Sequence, residues 1–210
     1  DTAATMWKRV WPWLAAILVL GVGGVGIYEF MRSETTKKIA AQGQVFDTAT
    51  TAMQKQDLVA AKTAFAELGQ GEGGFAVIAG HMLAGVEKDL NGDKAAMEPY
   101  LKAAAEANKG LMGDLAMLKL AYAKADTAPL AELETIARPL VDKGGHVGAL
   151  ARELVAAKAL ASGEIERARS EYQALSLEID APGQMKVRVQ QVLGTLPARA
   201  AAPAAPATTT

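Results

Sequence analysis

Residues 163–175, "GEIERARSEYQAL", decide the fold of this chain because their pattern occurs more than once. A small residue, Ala168, is followed four positions later by an aromatic residue, Tyr172. The same spacing occurs in two earlier stretches: "QDLVAAKTAFAEL" (56–68) with Ala61 and Phe65, and "GDKAAMEPYLKAA" (92–104) with Ala96 and Tyr100. Residues four apart share one face of a helix. Each pair therefore predicts a helix whose small residue admits a neighbouring helix while the ring fills the space beside it.

The spacing of these pairs predicts a repeat. The first interval is 35 residues and the second is 72, about twice as long. A unit midway predicts a pair at positions 132 and 136, where Ile136 suits the packing role of a ring but Glu132 does not suit the small position. That unit is therefore degenerate or shifted. A period of 34–36 residues is typical of tetratricopeptide-type arrays, in which each hairpin exposes an apolar face that only its neighbour covers.

Composition favours helices through the same region. Alanine is abundant after residue 40, and alanine is the best helix former because it loses no side-chain entropy in a helix. Short turns separate the helical segments: Gly92 and Gly163 suit left-handed positions, and Asp93 suits the cap of the next helix. The sequence thus predicts an all-α fold, a solenoid of helical hairpins.

Charge and cysteine content exclude several classes of function. The chain has 22 basic and 23 acidic residues, so no basic surface for nucleic acid is expected. It has no cysteine, which excludes disulfides, thiolate metal sites and cysteine nucleophiles.

The N-terminal region contains a predicted membrane span. Eighteen residues from Trp11 to Tyr28 carry no charge, enough for about 27 Å of helix against a hydrocarbon core of about 30 Å. Trp11 and Trp13 at one end and Tyr28 at the other suit the two water–lipid boundaries. We expect glycines such as Gly21 and Gly24 to be tolerated in the span, and we hypothesise that they let another helix approach closely.

The same segment also matches a dinucleotide-binding fingerprint. In "ILVLGVGGVGIY" (17–28) the residues Gly21, Gly23 and Gly26 fit G-x-G-x-x-G. That loop requires a preceding strand and a second parallel strand after the following helix. The chain shows no convincing second strand, so the membrane span is the favoured interpretation and a dinucleotide enzyme the alternative.

These observations divide the chain into four segments. They are an N-terminal stub (1–10), a transmembrane helix (11–28), a tetratricopeptide-like repeat domain (29–194), and an Ala/Pro-rich tail (195–210) predicted to be disordered.

No residue pattern points to catalysis or to a cofactor. His81 falls within an apolar helix and His146 at an expected helix start, and neither has a partner at ligand spacing. "DLNGD" (89–93) resembles half of a calcium loop, but Lys94 and Tyr100 occupy the positions that require glycine and glutamate. We therefore expect no enzymatic activity, no metal, no cofactor and no small-molecule substrate.

Three stretches, together with the order of the segments, resemble one known family. The clearest is "RELVAAKALASGEIERARSEYQALSLEIDAPGQMKVRVQQVLGTL" (152–196), and "GFAVIAGHMLAGVEKDLNGDKAAMEPYLKAAAEA" and "MRSETTKKIAAQGQVFDTA" are similar in order and spacing. A single span followed by about four helical units and a short terminal helix looks like the ancillary Sec-translocon subunit family of proteobacterial inner membranes. The resemblance covers roughly residues 8–196.

The resemblance implies a cytoplasmic N-terminus, a periplasmic repeat domain, and association with the translocon and with periplasmic chaperones, including a membrane-anchored prolyl-isomerase-like partner. The expected function is a membrane-anchored adaptor between proteins. The alternative is a structural accessory subunit of another inner-membrane complex, held mainly by its transmembrane helix.

Overall fold

A computed structural model describes residues 31–197, except residues 72 and 109, and this part of the chain is helical without strands. The helices run in chain order as follows: α1 (31–54), α2 (Leu58–Gly69), α3 (Gly74–Asn91), α4 (Glu98–Ala107), α5 (Leu111–Lys124), α6 (Leu130–Lys143), α7 (Gly145–Ala161), α8 (Ile165–Leu177) and α9 (Gly183–Thr195). A 3₁₀ turn, Lys94–Met97, precedes α4. The predicted all-helical class is confirmed for these residues.

The predicted membrane span lies outside the described residues. This applies to all five residues assigned to it: Trp11, Trp13, Gly21, Gly24 and Tyr28. Within the part of the chain that the structure describes, no helix combines the length and the apolar character that crossing a bilayer requires.

The helices pair into hairpins, and each helix from α2 onward contacts the next. Four hairpins follow one another, α1–α2, α3–α4, α5–α6 and α7–α8, and α9 packs on the last of them. In the first hairpin the rings of Phe46 and Phe65 meet edge to face, with centroids 5.9 Å apart. The number of units agrees with the repeat that the sequence predicts.

Local turn chemistry sets the helix boundaries. The Asp57 side chain accepts a hydrogen bond from the Ala60 N–H at the start of α2, and Asp93 does the same for Ala95 at the 3₁₀ turn. Gly92 ends α3 with φ +66°, and Gly163 between α7 and α8 has φ +79°. Both glycines therefore adopt the predicted left-handed conformation, and the predicted capping role of Asp93 is confirmed.

The first helices of the hairpins form one layer and the second helices another. Helix α3 contacts α5, and α5 contacts α7, whereas α4, α6 and α8 do not contact one another. The first helices therefore lie closer together than the second helices do. This arrangement curves the array, with α1, α3, α5 and α7 on its inner side and α2, α4, α6 and α8 on its outer side.

Two glycines make the tight connections between hairpins possible. A Cβ built on Gly113 of α5 would overlap the carbonyl oxygen of Asn108, and one on Gly148 of α7 would lie 2.6 Å from the carbonyl oxygen of Leu140. These contacts are to backbone, which has little room to move. The absence of a side chain lets each inner helix begin directly against the end of the preceding outer helix.

Candidate interaction surface

The inner helices share one stripe of positions that are partly open to solvent. Its members are spaced three or four residues apart, and none of them is buried: Ile78, Met82 and Gly85 on α3; Leu115, Lys119 and Tyr122 on α5; Leu150, Glu153 and Ala157 on α7. We call this surface the inner face. The opposite sides of these helices pack against outer helices, so the uncovered stripes are the sides that face away from the outer layer.

Tyr122 lies on α5, the middle of the three helices that form the inner face. It is 44% exposed, near Glu153 of α7 and Arg188 of α9. Burial raises the pKa of Tyr122, the Glu153 carboxylate raises that pKa further, and the Arg188 guanidinium opposes the rise. An aromatic side chain with a polar tip and one free side is a type of residue often found at the centre of protein interfaces.

Helix α9 closes this end of the inner face. The guanidinium of Arg188 donates to both carboxylate oxygens of Glu153, each at 3.0 Å. Met185 and Val189 on the other side of α9 are buried against the last hairpin. The ion pair and the buried apolar side chains together hold α9 at the end of the inner face.

His81 lies beneath the inner face, between α3 and α5. Its Nε2 lies 3.0 Å from the carbonyl oxygen of Met112, and its Nδ1 is buried without a hydrogen-bond partner among the described residues. Burial lowers the pKa of His81, and the positive charge of Lys119 lowers it further. The ring is therefore held neutral, with the Nε2 proton donated to Met112.

Ion pairs connect successive hairpins beside this surface. The Glu87 side chain of α3 interacts with Lys62 of α2 at 2.7 Å and accepts a hydrogen bond from the Tyr100 hydroxyl of α4 at 2.8 Å. Lys124 of α5 lies 2.9 Å from both Glu98 of α4 and Glu132 of α6. These contacts join α3 and α5 each to the outer helices on both sides.

The outer side carries a groove of about 840 Å³ between α6 and α8, with Arg152 and Val155 of α7 as its floor. Its three arginines are paired: Arg152 with Glu171 at 3.0 Å, Arg167 with Glu134 at 2.9 Å, and Arg138 with Asp142 at 4.0 Å. These charges therefore neutralise one another within the groove.

The structure places the predicted packing residues at different depths. Ala61, Phe65 and Ala168 are fully buried, and Tyr172 is 5% exposed. Ala96 lies half-buried in the 3₁₀ turn, and Tyr100 and Ile136 are half-buried between neighbouring clusters of apolar side chains. The fully buried residues nearest to them are Leu101, Leu133 and Ala137.

The candidate chemical residues do not come together into a site. His81 and His146 lie on different inner helices, and His146 is exposed at the start of α7, as the sequence predicts. Among residues 31–197 where they are described, no three histidine or acidic side chains gather closely enough to hold a metal. In "DLNGD" the backbone of Gly92 and the side chain of Asp93 form a helix connection instead of a calcium loop.

Comparison with known proteins agrees with this architecture. The tetratricopeptide repeat-like domain family matches residues 5–194, which is most of the chain. The chain belongs to this family. No curated protein and no solved structure matched it.

Sequence reasoning did not find Tyr122 or the two close-contact glycines. Tyr122 has no motif around it, and only the tertiary arrangement of α5, α7 and α9 places it near Glu153 and Arg188. A signal for the glycines exists, because Gly113 and Gly148 are separated by 35 residues, the same interval as the first two repeat pairs.

Proposed function

We propose that this chain is a membrane-anchored adaptor without enzymatic activity, whose inner face holds a segment of a partner protein. The observation that carries the proposal is the set of partly exposed stripes on α3, α5 and α7, with the exposed Tyr122 on the middle helix. Repeat arrays of this kind bind partners on their concave surface. Membership of the tetratricopeptide repeat-like family supports a role in protein–protein interaction.

The resemblance of residues 8–196 to ancillary Sec-translocon subunits extends the proposal to particular partners. In this form the span holds the chain in a bacterial inner membrane, and the repeat domain lies in the periplasm beside the translocon and periplasmic chaperones. Tethering raises the local concentration of the inner face near such partners, so individually weak contacts suffice. Digestion of the repeat domain by protease added to spheroplasts is the expected result; full protection would contradict this localisation.

Site-specific cross-linking tests the adaptor function. A photoreactive amino acid in place of Tyr122 is expected to capture translocon subunits or periplasmic chaperones in intact membranes. The matched control carries the same amino acid in place of Val59, which is 67% exposed on the outer helix α2. Equal capture from both positions, or none from Tyr122, would contradict a binding role for the inner face.

The second candidate function is a structural accessory subunit of another inner-membrane complex. Glycines at 21, 23, 24 and 26 favour it, because small residues permit close packing between transmembrane helices. Purification in mild detergent separates the two candidates. Stoichiometric recovery of a respiratory or transport complex supports the accessory subunit, and recovery of translocon and chaperones supports the adaptor.

A further inference from the structure

Helix α1 extends well beyond the helix on which it packs. Its contact with α3 begins near Gly43, where a Cβ would lie 3.8 Å from the Phe75 ring, and continues at Phe46, whose ring centroid is 5.6 Å from that of Phe75. Residues 31–41 precede this contact and are nearly all exposed. Eleven helical residues correspond to about 16 Å, so α1 projects by about that length past the contact with α3.

The packing face of α1 continues along this projecting part. At 100° per residue, a single arc of about 120° contains Phe46, which packs on α3, and these further residues: Met31, Arg32, Thr35, Lys38, Ile39 and Gln42. The apolar members of the projecting part remain in contact with solvent. Met31 is 63% exposed and Ile39 is 53% exposed. The face of α1 that packs on α3 from Gly43 onward is therefore exposed over residues 31–41.

This uncovered face and α3 together form a groove of about 980 Å³. Thr35, Lys38, Ile39 and Gln42 line one side, and residues 73–75 with Ile78 line the other. Ile39, Phe75 and Ile78 give the groove an apolar floor, and Ile78, 39% exposed, also belongs to the inner face. The groove is therefore continuous with the surface that the adaptor function uses.

Two cations lie on the side of α1 that continues its packing face. Arg32 and Lys38 lie on the arc, and neither has a carboxylate within 4.0 Å among the residues that the structure describes. Glu34 lies about 40° outside the arc, one helical turn before Lys38, and pairs with Lys37 at 3.1 Å. An apolar floor with Lys38 at its side, and Arg32 further along the same arc, complements a helix that carries aliphatic residues on one face and carboxylates beside them.

We propose that this groove binds an acidic amphipathic helix of a partner protein, which packs against the projecting part of α1 and the start of α3. This deepens the proposed adaptor function, on which it rests, by giving the chemistry of one partner segment. Aliphatic side chains of the partner cover Ile39 and Phe75, and its carboxylates lie beside Arg32 and Lys38.

Two synthetic peptides of one design test the proposal against the full chain in mild detergent. Each is a helix of about 18 residues with leucines at heptad spacing, flanked by glutamates in one peptide and by lysines in the other. Fluorescence anisotropy is expected to show at least about tenfold tighter binding of the acidic peptide, weakening as salt is raised. Equal binding of both peptides would overturn the proposal.

Matched variants locate the binding. Ile39→Asn is expected to weaken the acidic peptide about tenfold, whereas Val59→Asn on α2 leaves it unchanged. Lys38→Glu is expected to reduce the preference for the acidic peptide, whereas Lys55→Glu, an exposed lysine after α1, leaves it unchanged. All four positions lie outside the buried core, and unchanged thermal unfolding checks each variant. Equal effects of a groove variant and its control would contradict the proposal.

Two further measurements distinguish the partner helix from a second copy of this chain, and the groove from the rest of the inner face. A concentration-dependent dimer in sedimentation that Ile39→Asn abolishes would show that a second copy occupies the groove, which overturns the proposal. Partner capture at Tyr122 without binding of the acidic peptide would overturn the groove assignment and leave the adaptor function standing. Absence of capture at Tyr122 together with selective binding of the acidic peptide would overturn the role of the inner face and leave the groove assignment standing.

Discussion

The ammonium of Lys62 lies 2.7 Å from the carboxylate of Glu87, which joins the first hairpin to the second. Glu87 is only 4% exposed, and its carboxylate also receives hydrogen bonds from the Tyr100 hydroxyl and the Asn91 amide. Hydrogen bonds to an ionised group are stronger than those between neutral groups. One buried carboxylate thus connects α2, α3 and α4.

Removing this carboxylate is expected to destabilise the array. We predict that Glu87→Ala lowers the free energy of unfolding by about 1–3 kcal/mol, because Lys62, Tyr100 and Asn91 lose a shared acceptor. Asp89→Asn is the control, since Asp89 lies half-exposed two residues away and pairs with its neighbour Lys88. Urea denaturation at pH 7 measures both variants, and equal effects would contradict the role given to Glu87.

The same carboxylate predicts acid sensitivity. The hydrogen bond with Lys62 lowers the pKa of Glu87, and burial opposes that shift without reversing it. Its stabilising contribution is therefore complete above the ordinary glutamate pKa of 4.5 and is lost as pH falls through the lower pKa of the folded state. Thermal unfolding from pH 6 to pH 3 is expected to show a steeper decline for the unmodified chain than for Glu87→Gln. Parallel curves would contradict this prediction.

His81 predicts a second, milder range of acid sensitivity. Its pKa is lowered in the folded protein, so the unfolded chain binds a proton first as pH falls below about 6.5. The contribution of the neutral ring is complete above that pH and declines toward the folded-state value. His81→Gln is expected to reduce the slope of stability between pH 7 and 5, and His146→Gln at an exposed position to preserve it. A slope unaffected by His81→Gln would refute the assignment.

Two glycine substitutions are predicted to act in opposite directions. Gly113→Ala introduces a Cβ into the Asn108 carbonyl and is expected to destabilise the protein by several kcal/mol or to prevent folding. Gly85→Ala meets nothing within 4 Å and is expected to stabilise α3 by up to about 1 kcal/mol. Chemical denaturation of both variants checks the prediction, which fails if Gly113→Ala unfolds at the same denaturant concentration as the unmodified chain.

The contacts of α9 are predicted to differ in strength. Met185 is 1% exposed, and Met185→Ala is expected to cost about 2–5 kcal/mol because it leaves a cavity against the last hairpin. Arg188→Ala removes an exposed ion pair with Glu153 and is expected to cost no more than about 1 kcal/mol. Thermal unfolding compares the two, and a larger loss from Arg188→Ala would show that the ion pair holds α9.

Local chemistry made the hairpins predictable, whereas the register within them depended on tertiary contacts. Residues at the starts of the outer helices, Asp57, Asp93, Pro129 and Glu164, are spaced 36, 36 and 35 residues apart. The residues eight positions after each start are all buried, namely Phe65, Leu101, Ala137 and Tyr172. Counting eight residues from the start of each outer helix therefore identifies a buried residue in all four hairpins.

Alignment on aromatic residues gives a different register in the second hairpin. It selects Tyr100, which precedes the buried Leu101 and is itself half-buried, because its hydroxyl has to reach Glu87. The partner of that hydroxyl lies on another helix, so no spacing along the chain predicts the contact. The inner face was unpredictable for the same reason, since Tyr122 and Glu153 meet only through the packing of α5 on α7.

The contact of α3 with α5 and of α5 with α7, without matching contacts among α4, α6 and α8, has a mechanical consequence. The helices are in contact along the inner edge of the array and are separated along its outer edge. Bending of the array changes the distances between the inner helices least. It changes the width of the clefts between the outer helices most, such as the groove between α6 and α8. A segment bound along the inner helices therefore keeps its contacts while the array bends.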